Sequence, residues 1–262
     1  MAPTRPDRRW ATQVDEQEKS CEPPGGAVSE PHPQKAVRAR PPKAVLFDVD
    51  ETLVHTGGAG AKSWMRAFER LHDIPADIGE HTSAGETDPQ VARATFRAVL
   101  HREPSLDELT RLYALYLRYL AGEIWASESY HVLPGAPDTL SRLGDAGLVL
   151  GLVSGAMEGA ARTKLVPGNL NRFFIFGAYG SDSPDRAELT HVAIARASAL
   201  HGRPLEPDEV YVVGDTPLDI AAAKEGGAVA VAVASGHFRA DELAEAEADF
   251  VLASLQDPFP GL

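Results

Sequence analysis

Two aspartates separated by one residue, Asp48 and Asp50, follow directly on the apolar run Ala44-Val45-Leu46-Phe47, and Thr52 stands two positions further on. In extended geometry residues i and i+2 share a face, so both carboxylates can reach one site. Carboxylates that close repel unless one is protonated or a cation lies between them. The pair therefore points to a metal site or an acid–base couple, with a polar turn carrying an incidental helix cap as the alternative. A second apolar run, 210–213, ends in Gly214-Asp215-Thr216-Pro217-Leu218-Asp219. Thr216 suits a helix N-cap and Pro217 the first helical position. Asp219 then falls in the first turn, where the helix dipole favours a carboxylate. Asp215 sits at the strand tip, where no cap is needed. If the two strands are neighbours, Asp48, Asp50, Asp215 and Asp219 meet at one edge. Such an oxygen-rich set suits Mg²⁺, a hard cation that binds a few carboxylates and keeps waters for a phosphate.

Two further segments add polar groups. The run 148–153 ends in Ser154-Gly155-Ala156, a hydroxyl with exposed backbone N–H groups that can hold a phosphoryl oxygen, or an ordinary turn. Arg186 opens a helical pattern after Gly180-Ser181-Asp182-Ser183-Pro184-Asp185, where a fixed cation can face the carboxylates or solvent. Lys164, ten residues past Ser154, is the alternative cation, and its place inside a helix predicts a solvated surface charge.

The elements that must position these groups follow from the apolar pattern. Short apolar runs at 44–47, 148–153, 173–176, 210–213, 229–233 and 250–252 read as buried parallel strands. Helical patterns lie between them at 136–143, 189–200 and 218–224. Alternation of this kind predicts an α/β fold, a Rossmann-like parallel sheet with helices on both faces and ligands at the carboxyl ends of the strands. Residues 57–131 break the rhythm and read as three helices without a strand. Trp64, Phe68 and Leu71 share one face; Asp88-Pro89 reads as an N-cap followed by proline; Ser105 and Glu108 form a capping box. Residues 43–56 and 132–262 then form the α/β core, and 57–131 an inserted helical cap over the first strand's carboxyl end. Residues 1–42 hold eight of the twenty prolines, with seven basic and six acidic residues, and are expected to be a disordered tail. A formal charge of -13 without a basic stripe disfavours nucleic acid and anionic membranes. One cysteine, Cys21, no apolar membrane span and no secretory h-region favour a cytoplasmic setting.

Taken in order, these motifs resemble the haloacid dehalogenase-like hydrolase superfamily, in its phosphoglycolate-phosphatase-like branch with a helical cap. Asp48, Asp50 and Thr52 match an Asp-x-Asp-x-Thr motif, Ser154 the Ser or Thr ending a strand, and Gly214, Asp215 and Asp219 a Gly-Asp-x-x-x-Asp motif. The resemblance covers roughly residues 43–255. It departs at Arg186, where lysine is usual, and at Glu51, where many relatives have glycine. It implies that Asp48 is the nucleophile toward a small phosphorylated metabolite and Asp50 the proton-transfer group. Thr52, Ser154 and Arg186 would stabilise the phosphoryl oxygens. Mg²⁺ would be held by Asp48, the Asp50 carbonyl, Asp215 and Asp219. Gly155 and, from the cap, Gly58 of a glycine-rich hinge and Thr87 and Asp88 of a Gly-x-Thr-Asp element would face the substrate. A phosphomutase of the β-phosphoglucomutase kind and a non-catalytic protein that binds phosphorylated ligands are the alternatives.

Overall fold

The structure, a computed structural model, describes residues 40–76, 80–81 and 83–262. The expected tail falls outside the described residues up to position 39. Its last three residues are seated on the fold: Pro42 is buried, and the Arg40 carbonyl accepts from the Tyr211 hydroxyl at 3.0 Å.

Six parallel strands form the sheet: β1 (Ala44–Phe47), β4 (Val149–Ser154), β5 (Phe176–Tyr179), β6 (Val210–Gly214), β7 (Val229–Val233) and β8 (Phe250–Leu252), in the order β5-β4-β1-β6-β7-β8. Every residue of β1 is buried, as expected for a strand with both faces covered. Val45 and Phe47 point into one apolar cluster, which includes Leu140 and Leu143 of α4 (Ala136–Asp145) and Leu165 of α5 (Glu158–Leu165). Ala44 and Leu46 point into another, with Leu189 and Ala193 of α6 (Arg186–His201), Ile220 and Ala223 of α7 (Pro217–Glu225) and Leu243 of α8 (Ala240–Glu245). The predicted α/β class and both-faces covering are thus present.

The strand order reverses at β1, whose neighbours are β4 and β6. Phe47 lies opposite Leu152 and Val213, so the chain leaves all three strands at about the same height. That is the switch point where an open parallel sheet leaves a crevice for a ligand. Asp48, Ser154 and Asp215 are there because their strands end there.

Between β2 (Val54–His55) and β3 (His131–Val132) run α1 (Ala59–His72), α2 (Asp88–Leu100) and α3 (Leu106–Ala126). Their buried faces continue the first cluster: Trp64 stacks on Tyr116 with ring centroids 4.5 Å apart, and Phe68 meets Phe96 edge-on at 5.4 Å. Ser105 and Glu108 form the expected capping box of α3. The cap of α2 is Thr87 with Gln90, one residue before the expected Asp88. Among the described residues no helix is long and apolar enough to cross a membrane.

Two sequence expectations differ from the structure. The third strand is displaced: residues 171–173 form a 3₁₀ turn and pairing begins at Phe176, opposite Gly151. Apolarity misled because Phe174 is buried in the core without being in the sheet, while the paired Gly177 and Ala178 are small. The segment of helices is also bounded by strands, β2 and β3, which pair antiparallel through Val54 with Val132 and His55 with His131. Two residues per strand are too few to show a period.

Candidate active site

Asp48 extends the ladder of β1, its N–H donating to the Val213 carbonyl at 2.9 Å, and it is buried. Beyond it the chain turns at once. Leu53 and Val54 both donate to the Val49 carbonyl, and Glu51 adopts φ 55°, the left-handed region that favours glycine. Asp48 and Asp50 are therefore not successive same-face positions of one strand, as extended geometry predicts; a tight turn brings both to the cavity instead. Glu51 is held in this conformation from two sides. Its carbonyl accepts from the Ser235 hydroxyl at 2.5 Å, and its carboxylate lies 2.8 Å from His55 Nδ1.

Asp215 and Asp219 come from the end of β6 and the first turn of α7. Thr216 caps that helix, and its N–H and hydroxyl both donate to Asp219 Oδ2, at 3.1 and 2.7 Å. Asp219 thus serves the helix start and still presents Oδ1 to the site. It lies directly over Gly214, where a Cβ would stand 2.4 Å from Asp219 Cγ. Gly214→Ala is expected to push Asp219 aside and cost about 1–3 kcal/mol, a fall of several degrees in melting temperature that calorimetry would record.

One carboxylate oxygen each from Asp48, Asp215 and Asp219 lie within 4.8 Å of one another, and all three residues are buried. The Asp50 side chain is not in this trio; its carboxylate pairs with Lys164 Nζ at 2.6 Å. Burial, and after it Asp219, push Asp48 up to about 7. Burial, then Asp219 and Asp48, push Asp215 up to about 9. Three crowded, dehydrated carboxylates favour protons or a cation between them, which is the donor set a hard divalent ion needs. Thr52 is buried below, its hydroxyl donating to Asp215 Oδ1 at 3.4 Å.

Arg186, the first residue of α6, enters from the next crossover. Its Nη1 donates to Asp219 Oδ1 and its Nη2 to Asp48 Oδ1, the latter at 3.2 Å. Its Nε is buried and has no hydrogen-bond partner among the described residues. Burial opposes the charge, but Asp219 and Asp48 more than offset it and raise the guanidinium pKa. Ser154 closes this side, buried at the end of β4 beside Arg186 and Asp219.

These groups open into a cavity of about 250 Å³ lined by Asp48, Asp50, Ser154, Gly155, Arg186 and Asp215, and on the helical side by Gly85, Glu86 and Asp88. Gly155 is where the helical segment meets the sheet: its carbonyl accepts from the Asp88 N–H at 2.8 Å, and a Cβ there would stand 3.0 Å from the Glu86 carbonyl oxygen. Asp88 Oδ2 accepts in return from the Met157 N–H at 2.7 Å. Burial first, partly offset by Lys164, pushes Asp88 up to about 6.

Three expectations need correction. Thr87 does not line the cavity; it is fully buried, donates to the Pro184 carbonyl at 3.0 Å and caps α2. Gly58 caps α1 with nothing within 4 Å of the position its Cβ would take, and it too lies outside the lining. Lys164 is no solvated surface charge: its side chain is 7% exposed, and it lines the cavity. Burial alone would lower its pKa, but Asp50, Tyr116 and Asp88 outweigh that and raise it. His237, which also lines the cavity, was not singled out from the sequence. The signal was available, since Ser235-Gly236-His237 lies just past β7 as Gly155 lies just past β4.

Comparison with known proteins agrees with this geometry. Residues 42–227 match the model of the hydrolase family described as haloacid dehalogenase-like hydrolase. A phosphoglycolate phosphatase of Rhodospirillum rubrum is 31% identical over 76% of this chain and 82% of its own length. One from Salmonella choleraesuis is 28% identical over 84% and 92%. The crystal structure of CbbY from Rhodobacter sphaeroides in complex with phosphate has the same fold, with a TM-score of 0.64 at 18% identity over 82% of this chain and 95% of that one. With the family match spanning most of the chain and the aspartates gathered at the switch point of its sheet, the protein belongs to the haloacid dehalogenase-like hydrolase family.

Proposed function

We propose that the protein is a cytoplasmic, Mg²⁺-dependent phosphatase that hydrolyses a small phosphate monoester through an aspartyl-phosphate on Asp48. The observation that carries this reading is the position of Asp48: buried at the switch point, clustered with Asp215 and Asp219, bonded by Arg186, and open to a cavity that also holds Asp50. Asp48 attacks phosphorus, forming an O–P bond as the ester P–O bond breaks. Asp50 gives its proton to the departing alkoxide, then takes one from the water that releases inorganic phosphate and restores Asp48. Arg186 and Ser154 stabilise charge on the equatorial oxygens, while Thr52, fully buried, acts through its hydrogen bond to Asp215. Asp48, Asp215, Asp219 and the Asp50 carbonyl would hold Mg²⁺. When bound, the ion supplies the positive charge that lets an anionic nucleophile approach a phosphate dianion in a dehydrated cleft. We read residues 57–131 as a lid that excludes water and contributes Gly85, Glu86 and Asp88 to substrate selection. A net charge of -13 disfavours a polyanionic nucleic acid, and a small phosphate ester would rely on the local cations and metal of the site.

Release of inorganic phosphate from a panel of sugar and organic phosphates, with and without Mg²⁺, tests the reading. Phosphoglycolate, named in the relatives at 28–31% identity, comes first in that panel. Turnover with Mg²⁺ and none after chelation is the expected result; no phosphate from any ester would overturn it. Metal binding has its own readout. Because Asp48 and Asp215 are held up near 7 and 9, protons compete with the cation. Mg²⁺ should therefore raise the melting temperature more at pH 8 than at pH 5.5. Equal shifts at both pH values, or none, would show that the carboxylate cluster is not its site.

A further inference from the structure

The proton-transfer carboxylate is the least anchored member of the site. Asp48, Asp215 and Asp219 are fixed by strand ladder, helix cap and Arg186, but Asp50 lies past the end of β1 and pairs in the backbone only as an isolated bridge with Val54. Its side chain is 39% exposed, and among the described residues its one side-chain hydrogen bond is from Lys164, Nζ to Oδ2 at 2.6 Å. Lys164 lies 114 residues away in sequence and is buried where Asp50 is half-exposed. Its side chain is buried, and the helix carrying it is pinned at that residue: the Tyr130 hydroxyl donates to the Lys164 carbonyl at 3.0 Å and accepts from the Gly168 N–H at 3.2 Å. Fixing a four-carbon stem costs about 2 kcal/mol of rotamer entropy, so an ordered, buried ammonium beside a half-exposed carboxylate sets that carboxylate's place rather than the reverse.

We propose that Lys164 is a positioning residue that holds Asp50 for proton transfer at the leaving-group side of the cavity. The inference rests on the assignment of Asp50 as the proton-transfer group. The ammonium engages Oδ2 alone, Oδ1 has no side-chain hydrogen bond among the described residues, and Asp50 lines the cavity. Oδ1 carries the proton to the ester oxygen as the P–O bond breaks, and later receives one from the attacking water. A transfer group must be held within about 0.5 Å of its productive position, and this contact supplies the constraint. Asp88 and Tyr116 stand around the same ammonium, so docking of α2 and α3 on the sheet is part of what fixes it.

The test is the dependence on leaving group, which a merely structural role would not move. An alkyl phosphate needs a proton on its departing oxygen; p-nitrophenyl phosphate, whose phenolate leaves unaided, hardly does. With the Mg²⁺-loaded full chain, Lys164→Met should lower kcat on the alkyl ester by about 10-fold or more and on p-nitrophenyl phosphate by less than about 3-fold. Asp50→Asn should show the same pattern more strongly, and the double variant should be no slower than Asp50→Asn alone. Melting temperatures are measured throughout. If Lys164→Met does not fold, Lys164→Arg carries the test, with a smaller loss of the same leaving-group dependence. Equal losses on both esters, or losses that multiply in the double variant, overturn the role of Lys164 while leaving Asp50 in place. Absence of leaving-group dependence in Asp50→Asn overturns the assignment of Asp50 itself and the inference with it.

Discussion

Asp48→Asn is expected to remove turnover, by about 10⁴-fold or more in kcat, while the protein stays folded. The amide has the shape of the carboxylate but not the lone-pair charge to attack phosphorus, and none of the neighbouring carboxylates can substitute. Asp50 is held toward Lys164, Asp219 is bonded by Thr216 and Arg186, and Asp215 accepts from Thr52. Folding should survive because burial and Asp219 already disfavour the charged form of Asp48, pushing it up to about 7. The sign of the linkage follows. A carboxyl raised from its unfolded value stabilises the fold below that value, and loses this as pH rises through about 7. The neutral amide escapes that loss. Without metal, the variant should therefore gain on wild type in melting temperature between pH 5 and pH 8, offset by the weaker bond to Arg186. Phosphate release above about 1% of wild type in a folded variant would mean that another group is the nucleophile.

Much of this site was legible because its groups are attached to the loudest features of the sequence. A parallel strand buried on both faces is an unbroken apolar run, so its end is visible, and Asp48, Ser154 and Asp215 stand at such ends. Gly214 is legible for the same reason: Asp219 in the first turn of α7 folds back over the strand tip and leaves no room for a Cβ. What could not be read is whatever depends on long-range packing. Lys164 looks like an ordinary helical lysine until α2, α3 and the turn at Asp50 close around it. Thr87 and Asp88 look equivalent as candidates, yet Thr87 spends its hydroxyl on the Pro184 carbonyl and the start of α2, and Asp88 alone reaches the cavity. The β2–β3 pair is invisible because two residues per strand carry no alternation, although it joins the two ends of the helical segment.

Arg186→Ala should reduce kcat/KM by about 10²-fold or more, as for loss of one preorganised donor to transition-state charge. Arg186→Lys should recover part of it. The guanidinium spans Asp48 and Asp219 with two nitrogens of a planar fork, so a lysine can replace the charge but not that geometry. The alanine variant also leaves two buried carboxylates without their counter-ion, and breaking such a pair costs about 3–5 kcal/mol. Its melting temperature should fall, and added Mg²⁺ should restore part of the loss. Stability is thus separable from chemistry, because the lysine variant keeps the charge and the fold while losing the fork. The decisive comparison is across esters. If, as proposed, Arg186 acts on the phosphoryl oxygens, which every substrate shares, its variants should lose the same factor on an alkyl phosphate as on p-nitrophenyl phosphate. If Lys164 acts through Asp50 on the departing oxygen, as proposed, its loss should shrink as the leaving group improves. If Arg186→Ala and Arg186→Lys were both as active as wild type on either ester while Lys164→Met was slow on both, the phosphoryl cation would be Lys164. The positions of the two residues in the cavity would then have to be read the other way round.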